Sequence, residues 1–195
     1  MSSQDLTVLA LPGSIRAAST NRLLLEAAAA SAPPGMTVSV YRDLSSVPLF
    51  SEDLEAALPP PVGRLRDAVA SARGLLISTP EYNQSIPGVL KNAIDWISRS
   101  EEILDGKPVA IIGATVGRWG TRLAQSALRQ ALQATGALIL PGPAMFVADA
   151  GRLFDGDRLI DPTVRDQLEA VLAGFERWIR TTAAWSRPRP PSGAS

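Results

Sequence analysis

Three short stretches, LTVLAL at 6–11, GLLIST at 74–79 and VAIIG at 109–113, are apolar almost throughout and lack a polar residue at every second position. A strand with one wet face alternates, so strands of this kind are covered on both faces. What lies between them supplies the covers. A Leu/Ala-rich helix is expected over 21–30, and Leu65, Ala68, Val69 and Ala72 recur at helical spacing. Val89, Leu90, Ala93, Ile94 and Ile97 fall on one helical face, as do Leu123, Ala124, Ala127, Leu128 and Ala131 after Gly120. Residues 37–41 alternate as a short strand, and 164–179 make a last amphipathic helix. Buried strands alternating with such helices predict an α/β fold, a doubly wound parallel sheet with helices on both sides.

A chain of 195 residues is long enough for one core, and its 46% hydrophobic share is ordinary for a globular protein. Lys plus Arg and Asp plus Glu balance at 19 each, which argues against a nucleic-acid footprint. There is no Cys and no His. Disulfides, thiolate nucleophiles, His-ligated zinc, Ser-His-Asp triads and a His base are therefore excluded. An enzyme without them relies on something it binds for its reactive atoms. The opening MSSQDLTVLALPGS lacks the basic start of a signal peptide, and no apolar run approaches the ~20 residues that span a bilayer. A soluble, cytoplasmic protein is expected. The final SRPRPPSGAS has nothing to bury, so 186–195 reads as a disordered tail on a single domain of residues 1–185.

In an open parallel sheet, ligands bind beyond the carboxyl ends of the strands, where the strand order reverses. All three apolar runs end in polar or glycine-rich loops. The first loop, PGSIRAASTN at 12–21, runs straight into a helix. Its hydroxyls, its Arg and the free amides of a helix start suit a phosphate dianion. The plain alternative is a helix cap, with Ser19 or Thr20 closing the helix and Arg16 in water. The second loop begins Pro80-Glu81-Tyr82-Asn83, and Ser85, Pro87 and Gly88 start the next helix. Its prolines stiffen a backbone that can face a flat, hydrogen-bonding ligand. The alternative is a turn in which Asn83 bonds its own backbone. Lys91 and Asp95 in the helix that follows are spaced as a solvated pair. In the third loop, ATVGRWGT at 114–121, Gly117 and Gly120 allow close approach and Trp119 can cover an aromatic ring; a mobile surface loop is the alternative.

At these residues the chain resembles the NADPH-dependent FMN reductase family of flavodoxin-like proteins, which includes quinone, chromate and azo-dye reductases. GSIRAASTN, PEYNQSIPGVLKNAIDW and ATVGRWGTRLAQSALRQAL carry the resemblance in that order, and PLFSEDL at 48–54 and GDRLIDPTVRDQL at 156–168 fit it too. The resemblance implies a five-stranded flavodoxin-like sheet, bound FMN, NADPH or NADH as reductant, and a quinone, free flavin or similar acceptor. It assigns Ser14, Arg16, Ser19 and Asn21 to the FMN phosphate. Pro80, Glu81, Tyr82 and Asn83 would meet the isoalloxazine and ribityl chain, and Ala114, Thr115 and Gly117 would close the ring's other edge by backbone. It implies no metal, no obligatory catalytic side chain, and a dimer or tetramer, for which Tyr82, Trp96 and Trp119 beside the loops are candidate anchors. Relatives commonly carry a small hydroxyl where this chain has Ala114, and Arg118-Trp119 fills a loop that is often smaller. Two other classes stay open: a non-catalytic electron carrier of the flavodoxin type, and a regulatory protein that kept the fold and lost turnover. GSIRAAS and zero net charge stand against the carrier.

Overall fold

The structure, a computed structural model, describes residues 5–99 and 103–185. The chain runs β1 Leu6–Pro12, α1 Thr20–Ala30, β2 Met36–Val40, α2 Pro60–Ser71, β3 Gly74–Ser78, α3 Gly88–Ser98, β4 Pro108–Ala114 and α4 Arg122–Gln133. It continues through β5 Leu138–Ile139, β6 Met145–Val147, the hairpin of β7 Phe154–Asp155 and β8 Arg158–Leu159, and α5 Pro162–Ala183. The main sheet is parallel in the order β2-β1-β3-β4-β5, the flavodoxin order, which reverses direction between β1 and β3. All residues of β3 and β4 are buried, as their unbroken apolar sequence demands.

The outermost lane is built in two pieces. Val109 pairs with both Leu75 and Ile139, and Ile112 with both Ser78 and Met145, so β5 and β6 lie on the same side of β4. Between them stand Pro141 and Pro143, which have no N–H to give a ladder. One face of the sheet packs Leu24, Leu25, Leu168, Leu172 and Phe175 of α1 and α5. The other packs Leu65, Val69, Leu90, Ile97 and Leu128 of α2, α3 and α4.

Trp96 corrects one expectation. It is fully buried, stacks edge-on against Phe50 and donates its indole N–H to the Pro48 carbonyl at 2.8 Å, so it holds the segment after β2 onto α3 rather than anchoring an interface. Asn92 joins that clasp through Phe50 N and Pro48 O. Lys91 and Asp95 form the exposed pair that their spacing predicts. The expected tail, 186–195, lies outside the described residues. Among the described residues no helix is long and apolar enough to cross a membrane.

Candidate functional site

The strands β1, β3 and β4 end side by side, with Pro12 opposite Ser78 and Ser78 opposite Ile112. Their three loops therefore leave one edge of the sheet. They enclose a cleft lined by Ser14, Arg16, Ser19, Asn21, Pro80, Glu81, Tyr82, Ala114 and Thr115, together with Thr20 and Val116. Of the residues that the resemblance assigns to FMN, Asn83 and Gly117 do not line it.

The first loop is shaped to leave its amides free. Gly13 donates to Ser78 O at 2.7 Å, and a Cβ there would come within 3.1 Å of Ser78 O and Thr79 Cα, a tight contact that glycine avoids where the chain presses against β3. Ser19 is the N-cap of α1 and accepts from Arg22 N. The Arg16 guanidinium donates to Ala18 O at 2.5 Å, and that of Arg22 to Ala17 O at 3.1 Å. A planar trans peptide points N–H opposite C=O, so engaging these two carbonyls turns the amides of Ala18 and Ser19 the other way. Among the described residues, the amides of Ala17, Ala18, Ser19, Thr20 and Asn21 have no acceptor. Free amides at a helix start, two hydroxyls and a guanidinium form the donor set that a phosphate dianion requires.

Several of the other residues hold the loops in place. Asn21 is buried; its Oδ1 accepts from Ser78 Oγ at 2.8 Å and Ala114 N at 2.9 Å, and its amide donates to Ala114 O at 2.8 Å. The other side-chain N–H of Asn21 has no partner among the described residues. Ala114 thus has both backbone groups tied to Asn21. The Glu81 carboxylate accepts from Leu123 N at 2.9 Å and Ala124 N at 3.0 Å, fastening the second loop to the positive end of α4. Thr115 N donates to Val147 O and its carbonyl accepts from Ala150 N, both at 3.0 Å, while its Oγ1 accepts from Gly117 N at 3.2 Å. Beneath these, Gly113 is indispensable, since a Cβ there would lie 2.1 Å from Thr121 Oγ1. Nothing in the spacing of the sequence marks Thr121 or Ser78 as partners of the site.

The second loop is a two-residue hairpin. Tyr82 and Ser85 exchange both backbone bonds at 3.0 Å, and Asn83 and Gln84 have φ of 49° and 62°. Two consecutive positive φ values are the mark of a type I′ turn. Asn83 therefore serves through its left-handed backbone, not through the self-bond considered from sequence. Pro87 stands at the N-cap of α3 with no side-chain cap bond, and Gly88 is the first helical residue. Ile15, Tyr82, Val116, Trp119 and Leu123, each at least half exposed, are contributed by the three loops and the start of α4.

The sequence model of the NADPH-dependent FMN reductase family matches residues 6–151. The chain belongs to the NADPH-dependent FMN reductase family. An NAD(P)H-dependent FMN reductase of Pseudomonas aeruginosa is 42% identical over 181 residues, covering 91% of this chain and 97% of the relative. A 2-hydroxy-1,4-benzoquinone reductase of a Burkholderia species is 36% identical over 178 residues, covering 90% and 97%. The solved flavoenzyme NAD(P)H:(acceptor) oxidoreductase of Paracoccus denitrificans superposes with a TM-score of 0.84 at 30% identity, over 91% of this chain and 98% of that one. This member of the family is an oxidoreductase that works with FMN and NAD(P)H. The donor set of the first loop fits the FMN phosphate, and among the described residues no cluster of acidic side chains is placed to hold a metal.

Proposed function

We propose that the protein passes electrons from NAD(P)H to a quinone, a free flavin or a similar flat acceptor, with FMN held between the three loops. The observation that carries the proposal is the first loop, which contributes Ser14, Arg16, Ser19, Thr20 and Asn21 to the cleft bounded by the other two and leaves the amides at the start of α1 without an acceptor among the described residues. When bound, FMN supplies the redox chemistry, taking hydride from the nicotinamide and giving electrons to the acceptor.

The chain's own residues bind and orient. Ser14, Arg16 and Ser19 hold the phosphate, and Asn21 keeps that loop in register with β3 and β4. Pro80, Glu81, Tyr82 and Asn83 frame the ring and ribityl chain, Glu81 by its anchor on α4 and Asn83 by its turn. Ala114, Thr115 and Gly117 close the other edge of the ring through the loop they build. No side chain is assigned proton transfer, and water or a backbone group serves there. The cofactor is FMN rather than FAD because the loop closes on a terminal phosphate and the chain has no second dinucleotide fingerprint. The exposed apolar rim supports flat, partly apolar acceptors, in keeping with the benzoquinone named for one relative. Residues 1–185 form one flavin-binding domain, the working compartment is the cytoplasm where NAD(P)H is held, and the unit is a dimer or tetramer.

One flavin face must serve reductant and acceptor in turn, so the nicotinamide leaves before the acceptor binds. Varying NADPH at several fixed quinone concentrations is expected to give parallel double-reciprocal lines. Intersecting lines would contradict the shared face, and no NADPH consumption with any acceptor would contradict the enzyme reading altogether.

A further inference from the structure

Arg118, Trp119 and Arg122 are not among the residues that line the flavin cleft, yet the stretch that carries them begins and ends on its wall. Thr115 and Val116 line the cleft before it, and after it Glu81, also a lining residue, holds the amides of Leu123 and Ala124. Behind, the Gly117 carbonyl accepts from Asp149 N at 3.3 Å, and Gly120, at φ 69°, is backed by Phe146. The stretch is thus an arc on the rim of the cleft, fixed at both ends and at the rear. Its apex is Arg118 and Trp119, both exposed, the indole by 76%. Across the three loops, 12–21, 80–88 and 114–121, the only carboxylate is Glu81, and it is turned to the amides of α4. Among the described residues neither Arg118 nor Arg122 has an ion pair, with Asp149 or any other acid. The Arg122 guanidinium lies over Phe146 instead, 4.7 Å from the ring centroid. In a chain of zero net charge this is a local cationic excess. The FMN phosphate does not answer it, because it is assigned beside β1, two strand intervals from β4. That is about 10 Å at the usual strand spacing, roughly the screening length at ordinary ionic strength.

We propose that Arg118, supported by Arg122, selects electron acceptors that carry an anionic group beside a flat ring: quinones bearing a sulfonate, a carboxylate or an ionised hydroxyl. The inference rests on the flavin reading above. A guanidinium is a planar fork that matches the oxygens of such groups, and here it stands next to an exposed indole on which an aromatic ring stacks. A quinone at this rim therefore meets a plate for its ring and a cation for its substituent. A neutral quinone meets only the plate. Reduction gives the quinone two electrons and two protons, a hydride's worth from NAD(P)H and the second proton from water, and leaves the anionic substituent untouched. The contact with Arg118 is the same before and after the electrons pass, so it acts on affinity and not on the chemical step.

The test is steady-state turnover of the FMN-loaded full chain by NADPH with 1,4-naphthoquinone-2-sulfonate or 2-methyl-1,4-naphthoquinone, in wild type, Arg118→Ala, Arg118→Lys and Trp119→Ala. The two quinones share a ring system, and their difference in potential is the same for every protein, so it drops out of the comparison. Reduction of the neutral quinone shows that each variant is folded and loaded. Arg118→Ala is expected to lower the kcat/KM ratio of sulfonate to neutral quinone about fivefold, through KM, as loss of a largely exposed charge pair would. Arg118→Lys, which keeps the charge, is expected to recover part of it. Trp119→Ala should raise the KM for both quinones by a similar factor and so hold the ratio near the wild-type value. Added salt should lower the ratio in the wild type, an arm that needs no variant. A ratio that moves less than twofold in Arg118→Ala, or that ignores salt in the wild type, overturns the proposal. So does an effect of Arg118→Ala confined to the KM for NADPH, which would give the arginine to the reductant. A failure of the flavin reading looks different, because NADPH would then reduce neither quinone with any of the four proteins.

Discussion

Arg16 and Asn21 stand five positions apart in one loop, and the structure gives them different partners. Arg16 is exposed, and among the described residues its guanidinium is held only by a carbonyl of its own loop. Arg16→Ala should weaken FMN by about 1.5–3 kcal/mol, the range for a hydrogen bond to a charged group, and leave riboflavin, which lacks the phosphate, nearly unchanged. Fluorescence titration of both ligands against both proteins checks this. A coupling below about 0.5 kcal/mol, the usual error of such cycles, would remove Arg16 from the phosphate site. Asn21→Ala should behave in the opposite manner. It strands the buried Ser78 hydroxyl and the Ala114 amide, so it should cost about 3 kcal/mol of stability in urea unfolding and weaken FMN and riboflavin alike. A loss confined to FMN would return Asn21 to direct contact with the phosphate. The proposal for Arg16 could be drawn from the sequence, because hydroxyls and an Arg at a helix start carry their chemistry locally. The tie made by Asn21 could not, because its partners are 57 and 93 residues away and a ligand-binding Asn is spelled the same way.

At the scale of elements, the second loop depends on a hairpin and a helix end. Gln84 holds φ at 62° with a side chain that strains against it, so Gln84→Gly should stabilise the protein by about 0.5–1 kcal/mol and create the Asn-Gly pair that type I′ turns favour. A drop in stability would mean that the turn is set by packing and not by its own backbone. Glu81→Ala removes the acceptor for two amides of α4 and should cost about 1–2 kcal/mol, as loss of a helix cap does. It should also loosen flavin binding through the loop, and a variant of unchanged stability would sink the anchor. Sequence pattern served well for α1 to α4 and for β1, β3 and β4, whose apolar residues are numerous and regular. It did not locate the fifth lane, since β5 and β6 have two and three residues and Pro141 and Pro143 break the run between them. The β7–β8 hairpin, with two residues in each strand, was equally invisible. The length of α5 was understated because its last turns are mostly exposed.

For the whole molecule, the alternation of buried strands with two-faced helices was enough to give the layers, and the parallel sheet follows. Function came less from the fold than from three loops that the sheet order gathers at one edge. Self-association is the property at this scale that the chain alone does not display. Tyr82 and Trp119 remain exposed and able to anchor a partner, while Trp96 is spent in the core. Light scattering at micromolar concentration should give a multiple of the 20.6 kDa chain mass, and a mass near that value would refute the dimer or tetramer. If these loops hold FMN where NAD(P)H can reduce it, the bound flavin must cycle between its oxidised and reduced forms. The direct measurement is an absorption spectrum of the purified protein before and after anaerobic addition of NADPH, followed by a quinone. A flavin spectrum is expected that bleaches with NADPH and returns when the quinone is added. A bound flavin that stays oxidised in the presence of excess NADPH would contradict it and make the protein a carrier rather than an enzyme.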